Sequence, residues 1–359
     1  MTIPFEKLLE FIVARNATDL HLTVPSVPVL RIDGELIPLP EIPPLTPGEI
    51  ENIFGHITTE EQRLIFGEKR ELDFTYSMSG LARFRVSAIH QRGSISLAIR
   101  PIPFKIPSID ELELPQICKT LISKPRGLVL ITGAAGTGKS TTLAAMINHL
   151  NETVKRNIVT IEDPIEFLFS NKQCLIRQRD LGDDTHSFSS ALVHNLRHDP
   201  DVLVIGEMRD LDTMATAITA AETGHLVITT LHTVDAAQTI DRIVDVFPPE
   251  QQRQVRYQLS QVLLAVLSQR LLHRTGGGRI AVFEIMLNNP VISRLIREEK
   301  IFDLQSNIEV SHKEGMQTMD QALADMIKHK VISRDEGMLH CAVPTRLQQL
   351  LLVERSTVY

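Results

Sequence analysis

A glycine-rich loop between a buried strand and a helix is the feature of this sequence that most constrains its fold. Residues 133–141 read GAAGTGKST and match the pattern G-x-x-x-x-G-K-[ST]. The apolar run LVLIT precedes the loop at 128–132, and the helical pattern TLAAMINHL follows it. This order of strand, loop and helix is typical of phosphate-binding α/β proteins. We therefore predict an α/β fold that binds a nucleotide at this loop.

The loop residues have different expected roles. Glycine leaves the backbone bare, so several N–H groups can approach a β-phosphate at the positive end of the following helix. We expect Lys139 to reach the β- and γ-phosphates of the nucleotide, ATP or GTP, the Ser140 hydroxyl to be a ligand of Mg²⁺, and Thr141 to lie near the α-phosphate. The predicted nucleotide-binding residues here are Gly133, Ala134, Ala135, Gly136, Thr137, Gly138, Lys139, Ser140 and Thr141.

Acidic residues follow two further buried strands. VLVIG at 202–206 is followed by Glu207, and IVTI at 158–161 is followed by the acidic stretch Glu162–Glu166. Ligands of open parallel sheets bind beyond the carboxyl ends of the strands, so these acids are expected to face the phosphates together with a metal. The alternative is that each acid is a solvated strand end.

Two histidines, His225 and His232, flank the strand LVITTL at 226–231. A histidine can hydrogen-bond a γ-phosphate and change partner after hydrolysis, although a structural histidine is the commoner case.

Composition limits the other possibilities. The 359 residues include 37 Lys and Arg against 44 Asp and Glu, which gives a net charge of −7 and argues against a wide nucleic-acid surface. Three distant cysteines fit neither a disulfide framework nor a four-cysteine zinc site. The N-terminus lacks a secretory pattern, and the most apolar stretch, 259–272, is broken by polar residues, so we expect a cytoplasmic protein.

The chain length predicts about two domains, at ~100 to 200 residues each. A helix begins near Phe5, and hairpins are expected at Asp33-Gly34 and around Gln91-Arg92-Gly93, which places Arg83 and Arg85 on one face. Helix starts are predicted at Asn289-Pro290 and in capping boxes at Thr318 and Thr345. The predicted boundaries are 1–101 for an N-terminal domain, 102–116 for a linker that contains Pro103 and Pro107, 117–288 for the nucleotide-binding α/β core, and 289–359 for a helical region.

Four blocks, GAAGTGKST, IEDPIE, DPDVLVIGEMRD and TGHLVITTLHT, occur in the order found in the secretion ATPase superfamily, and the chain resembles its type IV pilus retraction ATPases. The similarity runs from FEKLLEFIVARNATDLHL to GMQTMDQALADM, nearly the whole length. It implies a RecA-like P-loop ATPase core, a PAS-like α+β N-terminal domain and a helical C-terminal region. It further implies Ser140 and Glu207 as metal-binding residues, Glu162 or Glu166 as the residue that positions the attacking water, and His225 and His232 in a catalytic histidine motif.

The resemblance also implies partners. The expected assembly is a homohexamer that lies at the inner face of the cell membrane and is peripheral to it. We expect it to act on an inner-membrane pilus platform protein and not to bind nucleic acid directly. A second retraction ATPase is a further candidate partner. An arginine finger for the γ-phosphate would come from the N-terminal hairpins or the core, and the candidates are Arg83, Arg85, Arg100, Arg197, Arg209 and Arg242.

One segment departs from the retraction pattern. The segment 291–298 reads VISRLIRE where these ATPases commonly have an AIRNLIRE-like sequence. Accessory retraction and assembly ATPases are therefore alternatives within the superfamily. A RecA-like nucleic-acid motor and a nucleotide-gated scaffold without turnover are the alternatives outside it.

Overall fold

The computed structural model describes residues 4–32, 34–102 and 106–352. The described residues up to 102, together with Glu166–Leu168, form one compact unit, and the others form a second. Each unit has its own sheet. The predicted linker residue Pro103 and the turn residue Asp33 lie outside the described residues, and the predicted domain boundaries remain predictions.

The N-terminal unit is an antiparallel sheet with helices packed on it. The described part of its sheet has six strands in the order β3-β2-β1-β6-β5-β4. Its elements are α1 Phe5–Ala14, β1 Asp19–Leu22, β2 Val29–Ile32, β3 Glu35–Pro38, α2 Pro47–Ile57, α3 Glu60–Lys69, β4 Glu71–Met78, β5 Ala82–Gln91 and β6 Ser94–Ile102.

Local patterns predicted the α1 helix and both hairpins of this unit correctly. In β5 every second side chain is buried, so Phe84 and Val86 lie in the core while Arg83 and Arg85 share the other face. Arg85 lies opposite Arg100 of β6. The three arginines predicted from the N-terminal hairpins are therefore placed together on one two-stranded ribbon.

The second unit is built on a mixed sheet of seven strands within the described residues, in the order β13-β12-β7-β11-β10-β8-β9. The first two are antiparallel to each other, and the pairs from β12 to β9 are parallel. The strands are β7 Gly127–Thr132, β8 Asn157–Glu162, β9 Leu175–Asp180, β10 Val202–Ile205, β11 Leu226–Leu231, β12 Leu263–His273 and β13 Arg279–Leu287.

Helices cover this sheet because its strands are apolar on both faces. Every residue of β7, β10 and β11 is buried, as expected for central parallel strands. The helices of the unit are α4 Ile117–Ile122, α5 Lys139–Thr153, α6 Phe188–Asn195, α7 Leu211–Glu222, α8 Ala236–Asp245, α9 Pro249–Val262, α10 Pro290–Arg297, α11 Leu304–Val310, α12 Met319–Lys328, α13 Arg334–His340 and α14 Pro344–Leu352. Short 3₁₀ turns lie at 196–198, 301–303 and 312–314.

The C-terminal predictions have mixed outcomes. Asn289 caps α10 by accepting from the backbone N–H groups of Val291 and Ile292, and Thr318 forms a capping box with Gln321. The capping box predicted at Thr345 is wrong, because α14 begins at Pro344 and Thr345 is therefore inside the helix rather than at its N-cap.

The apolar stretch 259–272 is divided between two elements, the end of α9 and most of β12. Across the described ranges, none of the helices combines the length and apolar character needed to cross a bilayer.

Candidate nucleotide site

The predicted phosphate loop joins the buried strand β7 to helix α5. Gly133, Gly136 and Gly138 have φ angles of 146°, 78° and 88°, in the region that side chains disfavour. At Gly133 an added Cβ would also lie 2.4 Å from the carbonyl oxygen of Gln269, so this turn has no room for a side chain. The glycines that the sequence pattern singled out are therefore required by conformation, and at Gly133 by space as well.

Lys139 begins α5 and lies with its side chain in the loop. It is only 8% exposed, and its Nζ donates to the carbonyl oxygens of Gly133 at 2.7 Å and Ala134 at 2.9 Å. Ser140 and Thr141 follow in the first turn of the helix and are half-buried. An ammonium group at the positive end of a 15-residue helix is an environment suited to an anion.

The order of the parallel strands brings three of the other predicted residues to the same edge of the sheet. Proceeding from the phosphate loop after β7, this edge carries His232 after β11, Glu207 after β10 and Glu162 at the end of β8. Adjacent strands are ~4.8 Å apart, so the β10 and β8 positions lie roughly 10 and 14 Å from the β7 axis. Glu207 is thus one strand nearer to the loop than Glu162.

Glu207 is held by two side chains, His232 and Arg209. His232 Nε2 lies 3.2 Å from Oε1, and an Arg209 guanidinium nitrogen lies 2.8 Å from Oε2. Burial raises the pKa of Glu207, but the hydrogen bond from Arg209 and the interaction with His232 outweigh it and bring the pKa below the usual 4.5. The Glu207 carboxylate is therefore ionised at neutral pH.

The acidic stretch after β8 places its two glutamates differently. Oε1 of Glu162 accepts hydrogen bonds from Thr160 Oγ1 at 2.6 Å and Gln178 Nε2 at 3.1 Å, which fixes the side chain beside β9. Glu166 is exposed and clusters with the N-terminal unit. Of these two glutamates, Glu162 is the one whose side chain is held by hydrogen bonds within the second unit.

His225 is placed away from the residues with which the sequence analysis grouped it. It precedes β11, and its backbone carbonyl accepts from the N–H of Gly127, at the start of β7. The loop instead follows the other end of β7, and a six-residue strand is roughly 20 Å long. Within one chain His225 is therefore at the opposite edge of the sheet, where its Nδ1 lies 2.9 Å from the carbonyl oxygen of Ala220.

The candidate arginines differ in their partners. Arg100 pairs with Asp19, with Nε at 2.9 Å and a terminal guanidinium nitrogen at 2.8 Å from Oδ1, and Arg83 donates to Thr75 Oγ1 at 2.7 Å. In the core, Arg209 is the arginine that binds a predicted site residue, Glu207. Arg197 and Arg242 are exposed, in the 3₁₀ turn after α6 and on α8.

Sequence reasoning missed a group of polar side chains beside the loop, on the neighbouring strands β7 and β12. Thr132 Oγ1 donates to Ser268 Oγ at 2.9 Å, and Gln269 contacts Thr137 and Thr142. Ser268 and Gln269 interrupt the apolar stretch 259–272, and that interruption is the signal in the sequence. A polar pair in a buried strand indicates that the strand meets polar groups at that place.

Comparison with known proteins places this geometry in a family. Residues 73–277, more than half of the chain, match the model of the family described as type II/IV secretion system protein. The chain belongs to this family. As the sequence resemblance implied, it groups with its pilus ATPases: it is 45% identical over 338 residues to the type IV pilus retraction ATPase PilT of Pseudomonas aeruginosa, covering 94% of this chain and 98% of that protein.

Two further relatives of this secretion ATPase are similar over almost their whole length. The type IV pilus ATPase PilU of Pseudomonas aeruginosa is 41% identical, over 94% of this chain and 88% of PilU. A crystal structure of the pilus retraction motor PilT with bound ADP superposes with a TM-score of 0.91 at 41% identity, covering 97% of this chain and 99% of that one. The predicted fold class, an α/β ATPase core preceded by an α+β unit, is confirmed.

Proposed function

We propose that this chain is a Mg²⁺-dependent ATPase motor that retracts type IV pili and works as a homohexamer. The observation that carries the proposal is the set of residues at one edge of the sheet. The loop with the buried Lys139 lies there, and two strands away the ionised Glu207 contacts His232 and Arg209. The relatives named as a retraction ATPase and a retraction motor support the pilus as the object on which the motor acts.

The residues at this edge fit a magnesium ion. Mg²⁺ takes hard oxygen ligands and keeps several waters, so one hydroxyl and one carboxylate from the protein are an adequate donor set. Ser140 and Glu207 would hold it, Glu207 directly or through water. When bound, the ion would neutralise charge on the β- and γ-phosphates.

The protein's own groups would bind and orient the nucleotide. Lys139 would exchange the carbonyl oxygens of Gly133 and Ala134 for phosphate oxygens, since an ammonium group prefers an anion to a neutral acceptor. His232 and Arg209 would keep Glu207 ionised and oriented. Glu162 or Glu166 would position the attacking water.

Motion would follow from different affinities for the nucleotide states. A conformation that binds ATP more tightly than ADP is populated before hydrolysis and depopulated after it, and this difference is the source of work. An arginine finger would come from the N-terminal unit or the core, and the candidates are Arg83, Arg85, Arg100, Arg197, Arg209 and Arg242. Among the N-terminal three, Arg100 pairs with Asp19 and Arg83 with Thr75, so Arg85 is the first of these to test.

The test of ATPase function compares Lys139→Ala with Lys155→Ala in phosphate release by the purified protein. Lys155 is an exposed lysine just before β8, at the opposite edge of the sheet. We expect Lys139→Ala to lose at least ~10²-fold in turnover, by analogy with the loss of other transition-state donors, and Lys155→Ala to keep it. Equal turnover in the two variants would refute the loop's role, and stimulation by DNA would favour a nucleic-acid motor.

The test of the pilus role is deletion of the gene in its host, followed by counting surface pili. Excess pili with lost surface motility are the expected result, since fibres would then assemble without being removed. An absence of pili would instead indicate an assembly ATPase. Unchanged pili and motility would refute a role for this motor in pilus dynamics.

A further inference from the structure

Gln269 is a buried side chain that contacts the phosphate loop from the neighbouring strand. It lies in β12 and is 2% exposed. Its Nε2 donates to the carbonyl oxygen of Thr137 at 2.7 Å, and its Oε1 accepts from Thr142 Oγ1 at 2.8 Å. One carboxamide therefore bonds both the loop and the first turn of α5.

The register of the sheet explains this position. β12 runs parallel to β7, with Ser268 beside Thr132, so Gln269 lies one residue further on, beside the start of the loop. The main chain is equally close, because a Cβ added to Gly133 would lie 2.4 Å from the Gln269 carbonyl oxygen. Both the backbone and the side chain of Gln269 thus form the wall against which the loop packs.

We propose that Gln269 is a positioning residue for the nucleotide phosphates, an inference that rests on the proposed ATPase function. In a planar trans peptide the C=O and N–H bonds point in opposite directions. The carbonyl of Thr137 is bonded to Gln269, so the N–H of the same peptide, which belongs to Gly138, points away from Gln269. Gln269 thereby sets the direction of one of the loop N–H groups that phosphate-binding loops aim at the nucleotide.

The pair of bonds suits a carboxamide. Thr137 offers an acceptor and the Thr142 hydroxyl a donor, and the Gln269 amide presents a donor on its terminal nitrogen and an acceptor on its terminal oxygen. Glutamate has nearly the same shape but would place an oxygen against the Thr137 carbonyl. Methionine fills the space and makes neither hydrogen bond.

The experiment measures binding of the fluorescent nucleotide N-methylanthraniloyl-ADP to the full-length protein without added metal. It compares the wild type, Gln269→Met, Gln269→Glu and the control Gln321→Met. Gln321 is a matched buried glutamine, because its Oε1 accepts from the Thr318 N–H and its Nε2 donates to the Glu309 carbonyl, in the α12 region. Thermal unfolding of every variant separates the loss of stability from the loss of binding.

We expect the dissociation constant to rise about tenfold in Gln269→Met, the effect of losing one to two hydrogen bonds, and further in Gln269→Glu. Gln321→Met should bind like the wild type even if it unfolds at a lower temperature. In ATP turnover, Gln269→Met should raise KM more than it lowers kcat, because the loop binds phosphate in ground and transition states alike.

Three results would overturn the inference. Folded Gln269 variants that bind the nucleotide as the wild type does would show that Gln269 positions nothing. A loss of affinity in Gln321→Met as large as that in Gln269→Met would show that the effect is merely structural. Failure of the wild type itself to bind would refute the proposed function and the inference with it.

A second variant covers the case in which Gln269 variants do not fold. Thr142→Val removes the donor to Gln269 Oε1 and keeps the shape of the side chain. We expect it to weaken nucleotide binding in the same direction but less, since the bond to Thr137 remains. Wild-type affinity in folded Thr142→Val would then contradict the inference.

Discussion

Adding a methyl group at Gly133 or at Gly136 tests whether the loop has the tight geometry described above. Both residues have a positive φ, 146° and 78°. They differ in their surroundings: a Cβ on Gly133 would lie 2.4 Å from the Gln269 carbonyl oxygen and 2.8 Å from Thr137 Oγ1, whereas a Cβ on Gly136 would have no atom within 4 Å. The pair therefore separates steric exclusion from backbone strain.

The magnitudes follow from these two terms. Gly136→Ala should lose about 1 to 2 kcal/mol of unfolding free energy, the cost of a side chain in the left-handed region. Gly133→Ala carries backbone strain of about 1 to 3 kcal/mol, and a clash with a main-chain oxygen adds about 1 to 3 kcal/mol because a strand must move to relieve it. We expect Gly133→Ala to be the less stable variant by about 2 kcal/mol.

The assay is urea unfolding followed by circular dichroism, without nucleotide and at equal protomer concentration, because binding and assembly both change apparent stability. The two substitutions should shift the midpoint by different amounts at an unchanged slope. Equal midpoints for Gly133→Ala and Gly136→Ala would refute the reasoning, since the contact with Gln269 would then exclude nothing.

Two further predictions concern buried polar groups. Burial raises the pKa of Glu284 above the usual 4.5, so the stability that Glu284 contributes is fully present below pH 4.5 and is lost as the pH rises through the raised value. In urea unfolding above pH 4.5, we therefore expect the wild type to lose stability relative to Glu284→Gln, and the exposed control Glu250→Gln to follow the wild type. A stability difference that does not depend on pH would contradict this prediction. The Thr132–Ser268 hydroxyl bond of 2.9 Å should give a coupling of about 1 kcal/mol in a double-mutant cycle of Thr132→Val and Ser268→Ala, and a coupling of zero would show that the bond contributes nothing.

The parts of the fold and site that could be predicted are those that depend on residues close together in the sequence. Residues 133–141 carry their own loop chemistry, and Glu207 directly follows an apolar strand, so the strand direction alone placed it at the correct edge. His225 and His232 flank the strand at 226–231, whose two ends lie roughly 20 Å apart, so within one chain only His232 of this pair lies at the edge that carries the loop. A catalytic role for His225 stays a prediction.

Gln269 could not be placed because its partners are distant in sequence. It bonds Thr137 and Thr142, 132 and 127 residues earlier in the chain. No local pattern specifies that β12 lies beside β7, since a parallel neighbour is chosen by the packing of the whole sheet. A polar residue in an apolar strand indicates that it has a polar partner, but only the strand order identifies that partner.

The strand order also makes β12 a link between the phosphate loop and the C-terminal helices. Side chains alternate along a strand, so Ser268 and Arg270 lie on one face and Gln269 on the other. Gln269 bonds the loop, while the Arg270 guanidinium donates to the backbone carbonyl of His340 at the end of α13. A displacement of the loop that moves β12 would therefore also act on α13, through covalently adjacent residues. For a protein that does mechanical work, this gives a physical reason for polar side chains at the centre of an otherwise apolar strand.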